Sequence, residues 1–258
     1  KLSHDIDQMR HLYARGVAGD DIQKIIAGYE SVRDAMPRHT PHDHLFTLNV
    51  AQRDKLAPSY DNAYYIPACP ISAKSSLGKG VNRKQVESAY FGSNPNLAVV
   101  DNLLSQDALS RLRAFCREAT IWKDVKAGYL GTYLLDGFCE PLFLQIAHEL
   151  RKALPAILKD HPLIEMWAYK CDHQLSGLNK HADCAAVNIN FWISPDDANC
   201  EPDSGGLEVF KAEAPMTWDF RRYNNEQDAI DNYLEEQGGE SIKIPHRSNR
   251  ALIFNSNL

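Results

Sequence analysis

The sequence predicts an α+β protein in which a barrel or sandwich of short strands is buttressed by helices. Three observations predict it. Two apolar stripes at helical spacing run through the middle of the chain, Leu109, Leu112, Cys116 and Ala119, then Leu142, Phe143, Ile146, Ala147, Leu150 and Leu154. After Pro162 the pattern changes to short apolar runs divided by turn residues, as consecutive strands require. A helical hairpin is also written into residues 1–36. Helices ahead of a run of short strands pack as layers around a shared core.

The hairpin pairs residues 4–15 with residues 21–36. Gly16 and Gly19 break the first helix, and Ile22, Ile25, Ile26, Tyr29 and Val32 line the second until Pro37 stops it. Residues 37–95 lack periodicity and carry Pro37, Pro41, Pro58, Pro67, Pro70 and Pro95, so they are read as an irregular connection. Leu97–Val100 is a short strand. Ser105 follows as an N-cap, with Leu104 and Leu109 placed as a hydrophobic staple. A strand over Tyr129–Leu135 leads to a helix opened by Pro141, whose missing N–H costs nothing in a first turn. The later strands are Leu163–Cys171, Ala185–Ile193, Gly206–Phe210, Ser241–Ile244 and Ala251–Phe254, with a helix over Glu226–Gln237. Val187, Ile189 and Phe191 alternate with Asn188, Asn190 and Trp192, the period of a strand with two unlike faces.

Composition narrows the function. The 258 residues carry a net charge of -6, with Lys and Arg scattered, which disfavours a duplex nucleic acid as partner. No apolar run approaches the roughly 20 residues that span a bilayer. Six cysteines form no CxxC pair and several fall in apolar patterns, as reduced, buried thiols of a cytoplasmic protein do. A signal peptide is neither seen nor excluded upstream of Lys1.

The chemistry-bearing segment is Asn179-Lys180-His181-Ala182-Asp183. In an extended chain residues i and i+2 share a face, so His181 and Asp183 can reach one ion. One imidazole and one carboxylate, joined by a distant second His, make the facial triad of non-haem Fe(II) oxygenases. With ten His and 34 acidic residues, about one His-x-(Asp/Glu) arises by chance, so context has to carry the assignment.

That context is an ordered set of further motifs: Trp167-Ala168-Tyr169-Lys170, Val187-Asn188-Ile189-Asn190-Phe191-Trp192, Pro202-Asp203-Ser204-Gly205-Gly206-Leu207 and Asn249-Arg250-Ala251-Leu252-Ile253-Phe254-Asn255-Ser256. Together with His181 and Asp183 they resemble the 2-oxoglutarate/Fe(II) oxygenase superfamily in its prolyl-4-hydroxylase-like branch. The chain is similar, over about residues 97–258, to bacterial members in which a helical or tetratricopeptide-like segment comes first. The resemblance implies a double-stranded β-helix, or jelly roll, for residues 96–258. It implies Fe(II) and 2-oxoglutarate as cofactors, with ascorbate as a reductant, and a dioxygenase that hydroxylates a protein side chain or a small molecule while 2-oxoglutarate becomes succinate. It places His181 and Asp183 on the metal, and Tyr169 with Asn190 beside the co-substrate. In such proteins the second His and the co-substrate's Arg follow the strand matched by Arg250–Ser256, so both are expected beyond Leu258, with a last strand missing. His246 precedes the expected place.

Structural roles compete at several of these positions. Tyr169 and Trp192 suit a packed barrel, and Asn190 suits a satisfied structural amide. His39, His42 and His44 form a His-rich loop without a fourth ligand at zinc spacing. The stretch Ala212–Gly239 is long enough for a lid or a surface excursion. The competing functional reading is a catalytically inactive barrel that serves as a binding module. A cupin-like metal site is weaker, because two His and a Glu in one motif are not present.

Overall fold

A computed structural model describes residues 1–37, 45–126, 128–171, 178–183, 185–200 and 205–256. In chain order its elements are α1 (Leu2–Ala14), α2 (Ile22–Asp34), α3 (Val50–Leu56), α4 (Arg83–Gly92), β1 (Leu97–Asp101), α5 (Gln106–Glu118), β2 (Asp124–Lys126), β3 (Tyr129–Tyr133), α6 (Pro141–Ala153), α7 (Pro155–Leu158), β4 (Trp167–Cys171), β5 (Val187–Phe191), β6 (Leu207–Phe210), α8 (Phe220–Asn225), α9 (Gln227–Glu236), β7 (Ser241–Ile244) and β8 (Arg250–Asn255). The fold is α+β with small antiparallel sheets. Among the described residues no helix is long and apolar enough to cross a membrane.

Two compact units share the chain. The first comprises Lys1–Pro70, Arg111–Pro141 and Ile164–Ser176, and the second Ile71–Ser110, Leu142–Leu163 and Gly177–Leu258.

In the first unit α1, α2 and α3 bury Ile6, Met9, Ile22, Ile26, Tyr29, Val32 and Leu56 against one another. Burying such side chains is the main favourable term, worth about 1.5–3 kcal/mol each. Gln8 is buried too, and its amide donates to the carbonyls of Arg117 (3.1 Å) and Ala119 (2.9 Å), as a buried polar group must. The sheet of this unit runs β2-β3-β4, all antiparallel, with Gly131 opposite Tyr169. A Cβ at Gly131 would lie 3.2 Å from the Asp124 carboxylate and 3.4 Å from the Tyr169 ring, so glycine leaves room for both.

In the second unit β1, β8 and β5 form one antiparallel sheet and β6 pairs β7 in another. The two sheets face each other through Leu97, Leu252 and Phe254 on one side and Val209 and Ile244 on the other. Asn188 pairs with Phe254 and Asn190 with Leu252, so both asparagines lie on this inner face. The opposite face buries Ala98, Val100, Ala251 and Ile253, and α4 lies against β1. Gly206 opens β6 because a Cβ there would sit 2.2 Å from the Ile244 carbonyl oxygen. The irregular segment Ser72–Ser76 is held by α6, where Glu149 accepts from Ser75 Oγ (2.7 Å), Ser76 N (2.9 Å) and Ser76 Oγ (3.0 Å).

Three differences from the sequence expectation have local causes. Residues 37–95, read as irregular, contain α3 and α4. Each is opened by an asparagine, Asn49 accepting from Gln52 N and Asn82 from Gln85 N. Each is short, with few buried positions, so no periodicity builds up. The strand expected over Tyr129–Leu135 ends at Tyr133, where a 3-10 turn, Leu134–Asp136, is closed by Gly137 at φ 111°. Ahead of α9, Asp219 caps α8, a helix without a buried residue.

Candidate metal centre

The segment 178–183 carries no strand pairing, contrary to the expectation that His181 and Asp183 open a strand; β5 begins at Val187. Other groups hold it. The Asp183 N–H donates to the Ser256 carbonyl at 3.2 Å, and the Ala182 N–H to that of Tyr223 at 3.2 Å. The Ala185 N–H closes a turn on the Asp183 carbonyl at 2.9 Å.

On this backbone the two side chains do converge. His181 Nε2 lies 3.9 Å from Asp183 Oδ1, with the side chains 37% and 29% exposed, so the pair is reachable from solvent. His181 Nδ1 is 2.7 Å from the Asn179 carbonyl oxygen, which only accepts, so Nδ1 carries the ring proton. In the neutral ring Nε2 then presents a lone pair. Asn188, 5% exposed, donates its side-chain amide to Asp183 Oδ2 and leaves Oδ1 turned toward the imidazole.

The gap of 3.9 Å is too long for a hydrogen bond and leaves the imidazole edge and the carboxylate oxygen close together without direct contact. Ligand bonds of about 2 Å to one ion bridge such a gap. The donor set, an imidazole and a carboxylate with the far side of each engaged by an outer partner, is the usual arrangement at metal sites. The pair therefore fits an ion as two of its ligands. Among the described residues no group of three or more His, Cys, Asp or Glu gathers around one point.

The remaining expected residues are placed as follows. Asn190 is half-buried on the inner face of β5, two positions beyond Asn188. Tyr169 belongs to the first unit, on β4; its ring meets Tyr129 edge-on at 5.1 Å and its hydroxyl interacts with that of Tyr133, which donates to Asp124 at 3.0 Å. Burial first, then Tyr169 and Asp124, push the Tyr133 phenol well above its usual range. Trp192 packs with the inter-sheet cluster and meets the His246 ring edge-on at 6.1 Å. His246 thereby sits at the far end of β5 from Asp183, near Ser194 Oγ (3.3 Å), and burial lowers its pKa. It does not join the pair. The loop with His39, His42 and His44 lies outside the described residues, as does the turn residue Ser204.

Sequence reasoning left the strand face of Asn188 undetermined, and it singled out Ala212–Gly239 as a lid or a surface excursion without locating its contact with the segment of His181 and Asp183. Lys180 meets Asp231 at 2.6 Å and lies over the Phe210 ring at 5.1 Å.

The chain matches no protein-family model, no curated protein and no solved structure.

Proposed function

We propose that His181 and Asp183 are ligands of an Fe(II) ion in a 2-oxoglutarate-dependent oxygenase that hydroxylates a protein side chain or a small molecule. The observation that carries this reading is the approach of His181 Nε2 to Asp183 Oδ1 at 3.9 Å, with the other polar atom of each side chain engaged elsewhere. The motif order of the sequence supplies the choice of iron and 2-oxoglutarate over other pairings. The two sheets that face each other in the second unit are taken as part of a double-stranded β-helix, with Asn188 and Asn190 on its inside.

When bound, Fe(II) with 2-oxoglutarate supplies the activation of O2 and the oxidative decarboxylation that yields succinate. The chain's own part is to hold the ion and shape its surroundings. The Asn179 carbonyl fixes the His181 tautomer, and the Asn188 amide limits Asp183 to one free oxygen. Asn190 offers an amide further along the same inner face, where a co-substrate oxygen would find a donor.

The competing reading is a catalytically inactive barrel that binds a partner. Turnover separates the two. The protein, expressed from its complete gene, is supplied with Fe(II), 2-oxoglutarate, ascorbate and O2, and succinate is measured. The oxygenase reading expects slow succinate formation even without a primary substrate, lost in His181→Ala. No succinate above that of His181→Ala sinks it and favours the binding module.

A further inference from the structure

We propose that the excursion joining β6 to β7 sets His181 in place, with Asn224 and Gln227 as positioning residues. This deepens the metal reading above and rests on it. A segment without a strand ladder has to find partners for its peptide groups elsewhere, and the excursion provides them on both sides of His181. Gln227 Nε2 donates to the Lys180 carbonyl at 2.9 Å, and Asn224 Nδ2 donates to the Ala182 carbonyl at 3.1 Å. The Ala182 N–H returns a bond to the Tyr223 carbonyl. Thus residues 223–227 grip the peptide before His181 and the peptide after it.

The grip is itself anchored. Ile230 and Leu234 bury one side of α9, and the Asp219 side chain caps α8 at Arg222 N, 2.9 Å. Gln227 Nε2 also reaches the Asn224 carbonyl at 3.4 Å, joining the two positioning residues. The Lys180–Asp231 ion pair lies outside this set, with side chains 43% and 48% exposed, and such pairs contribute little. An imidazole nitrogen stands several bonds from its backbone, so a small rotation of the His181 peptides moves Nε2 out of line with Asp183. Removing outer-shell partners of a ligand costs about 10–100-fold in metal affinity.

The test compares wild type with Asn224→Ala/Gln227→Ala, Gln227→Ala alone, and Asp231→Asn. Amide hydrogen exchange at Ala182 is read in the metal-free protein, and Mn2+ affinity by electron paramagnetic resonance. The proposal expects exchange at Ala182 to quicken in the double variant while Leu252 in β8 stays protected. It expects Mn2+ affinity to fall about tenfold or more, and Asp231→Asn to stay within about twofold. Gln227→Ala, which loses fewer bonds, gives the smaller shift and serves where the double variant unfolds. Unchanged protection of Ala182 in the double variant, or a double variant that binds Mn2+ as wild type does, overturns the proposal. Wild-type protein that binds no Mn2+ overturns the metal reading instead, and exchange at Ala182 then decides alone whether Asn224 and Gln227 hold His181.

Discussion

Asn188 donates its side-chain amide to Asp183 Oδ2, from a strand position that is 5% exposed and opposite Phe254. A buried polar side chain among the apolar residues of the inner face needs a partner, and the one it finds is the carboxylate beside His181. The bond leaves Asp183 a single oxygen to offer.

Replacing that amide by an isosteric apolar group tests its role. Asn188→Leu is expected to lower affinity for Mn2+ by about 10–100-fold while the denaturation midpoint moves little, since leucine suits the inner face. Titration calorimetry alongside a urea melt separates the two effects. Equal affinity in the variant would show the contact to be packing only.

Asn249 should matter for stability and not for metal. It lies at φ 61°, its amide donates to the Leu104 carbonyl at 2.8 Å, and its Oδ1 accepts from Leu104 N at 2.9 Å. Its own N–H and carbonyl bond Trp192 and Leu103. Asn249→Ala loses two buried bonds and a residue type suited to the left-handed region, an expected cost of about 2–4 kcal/mol by denaturant unfolding. A loss under about 0.5 kcal/mol would contradict this account.

Asp101 takes a bidentate grip from Arg250, at 2.6 and 3.1 Å, and a further bond from Arg247 at 2.9 Å. The Arg250 hydrogen bonds hold its carboxyl below the usual range. Because the folded pKa is depressed, this stabilisation is present above the unfolded value and is lost as pH falls through the folded one. Asp101→Asn is expected to cost about 1–2 kcal/mol near neutrality, tempered by the carboxylate's partial exposure. The variant should also lose less stability than wild type on acidification below about pH 4. Parallel acid melts check it.

His4 predicts a second pH dependence in the first unit. Its side chain is 12% exposed, Nε2 has no hydrogen-bond partner among the described residues, and Trp122 meets the ring edge-on at 6.2 Å. Burial lowers its pKa, against the opposing hydrogen bond to the Asp5 carboxylate, with Lys170 and Lys1 adding to the lowering. The folded state therefore favours the neutral ring, and stability declines as pH falls from about 6.5 through the folded value. His4→Gln should flatten the unfolding midpoint between pH 7 and 5. A slope as steep as wild type would assign the dependence to another group.

The elements legible in the sequence are those whose side chains repeat at their own period long enough to register. The stripe from Ile22 to Val32, the alternation of Val187 to Phe191 and the run Ala251–Phe254 all appear as elements, within a few residues of their expected bounds. The helices α3, α4 and α8 escaped because one Asn or Asp cap starts each and little burial follows. At the site, His181 and Asp183 were legible as a spaced pair, but their partners were not. Alternation reveals that Asn188 and Asn190 share a face without saying which face is inside. Asn224 and Gln227 reach the site from 42 and 47 residues away, through an excursion whose path no local pattern encodes.

An iron held by His181 and Asp183 that also takes 2-oxoglutarate would announce itself in the visible spectrum. The most direct measurement is anaerobic addition of Fe(II) and then 2-oxoglutarate to the protein expressed from its complete gene, recording the visible spectrum beside His181→Ala. The account predicts a charge-transfer band that appears with 2-oxoglutarate in wild type and is absent from the variant. A folded wild-type protein without the band, or a band that persists in His181→Ala, would contradict it.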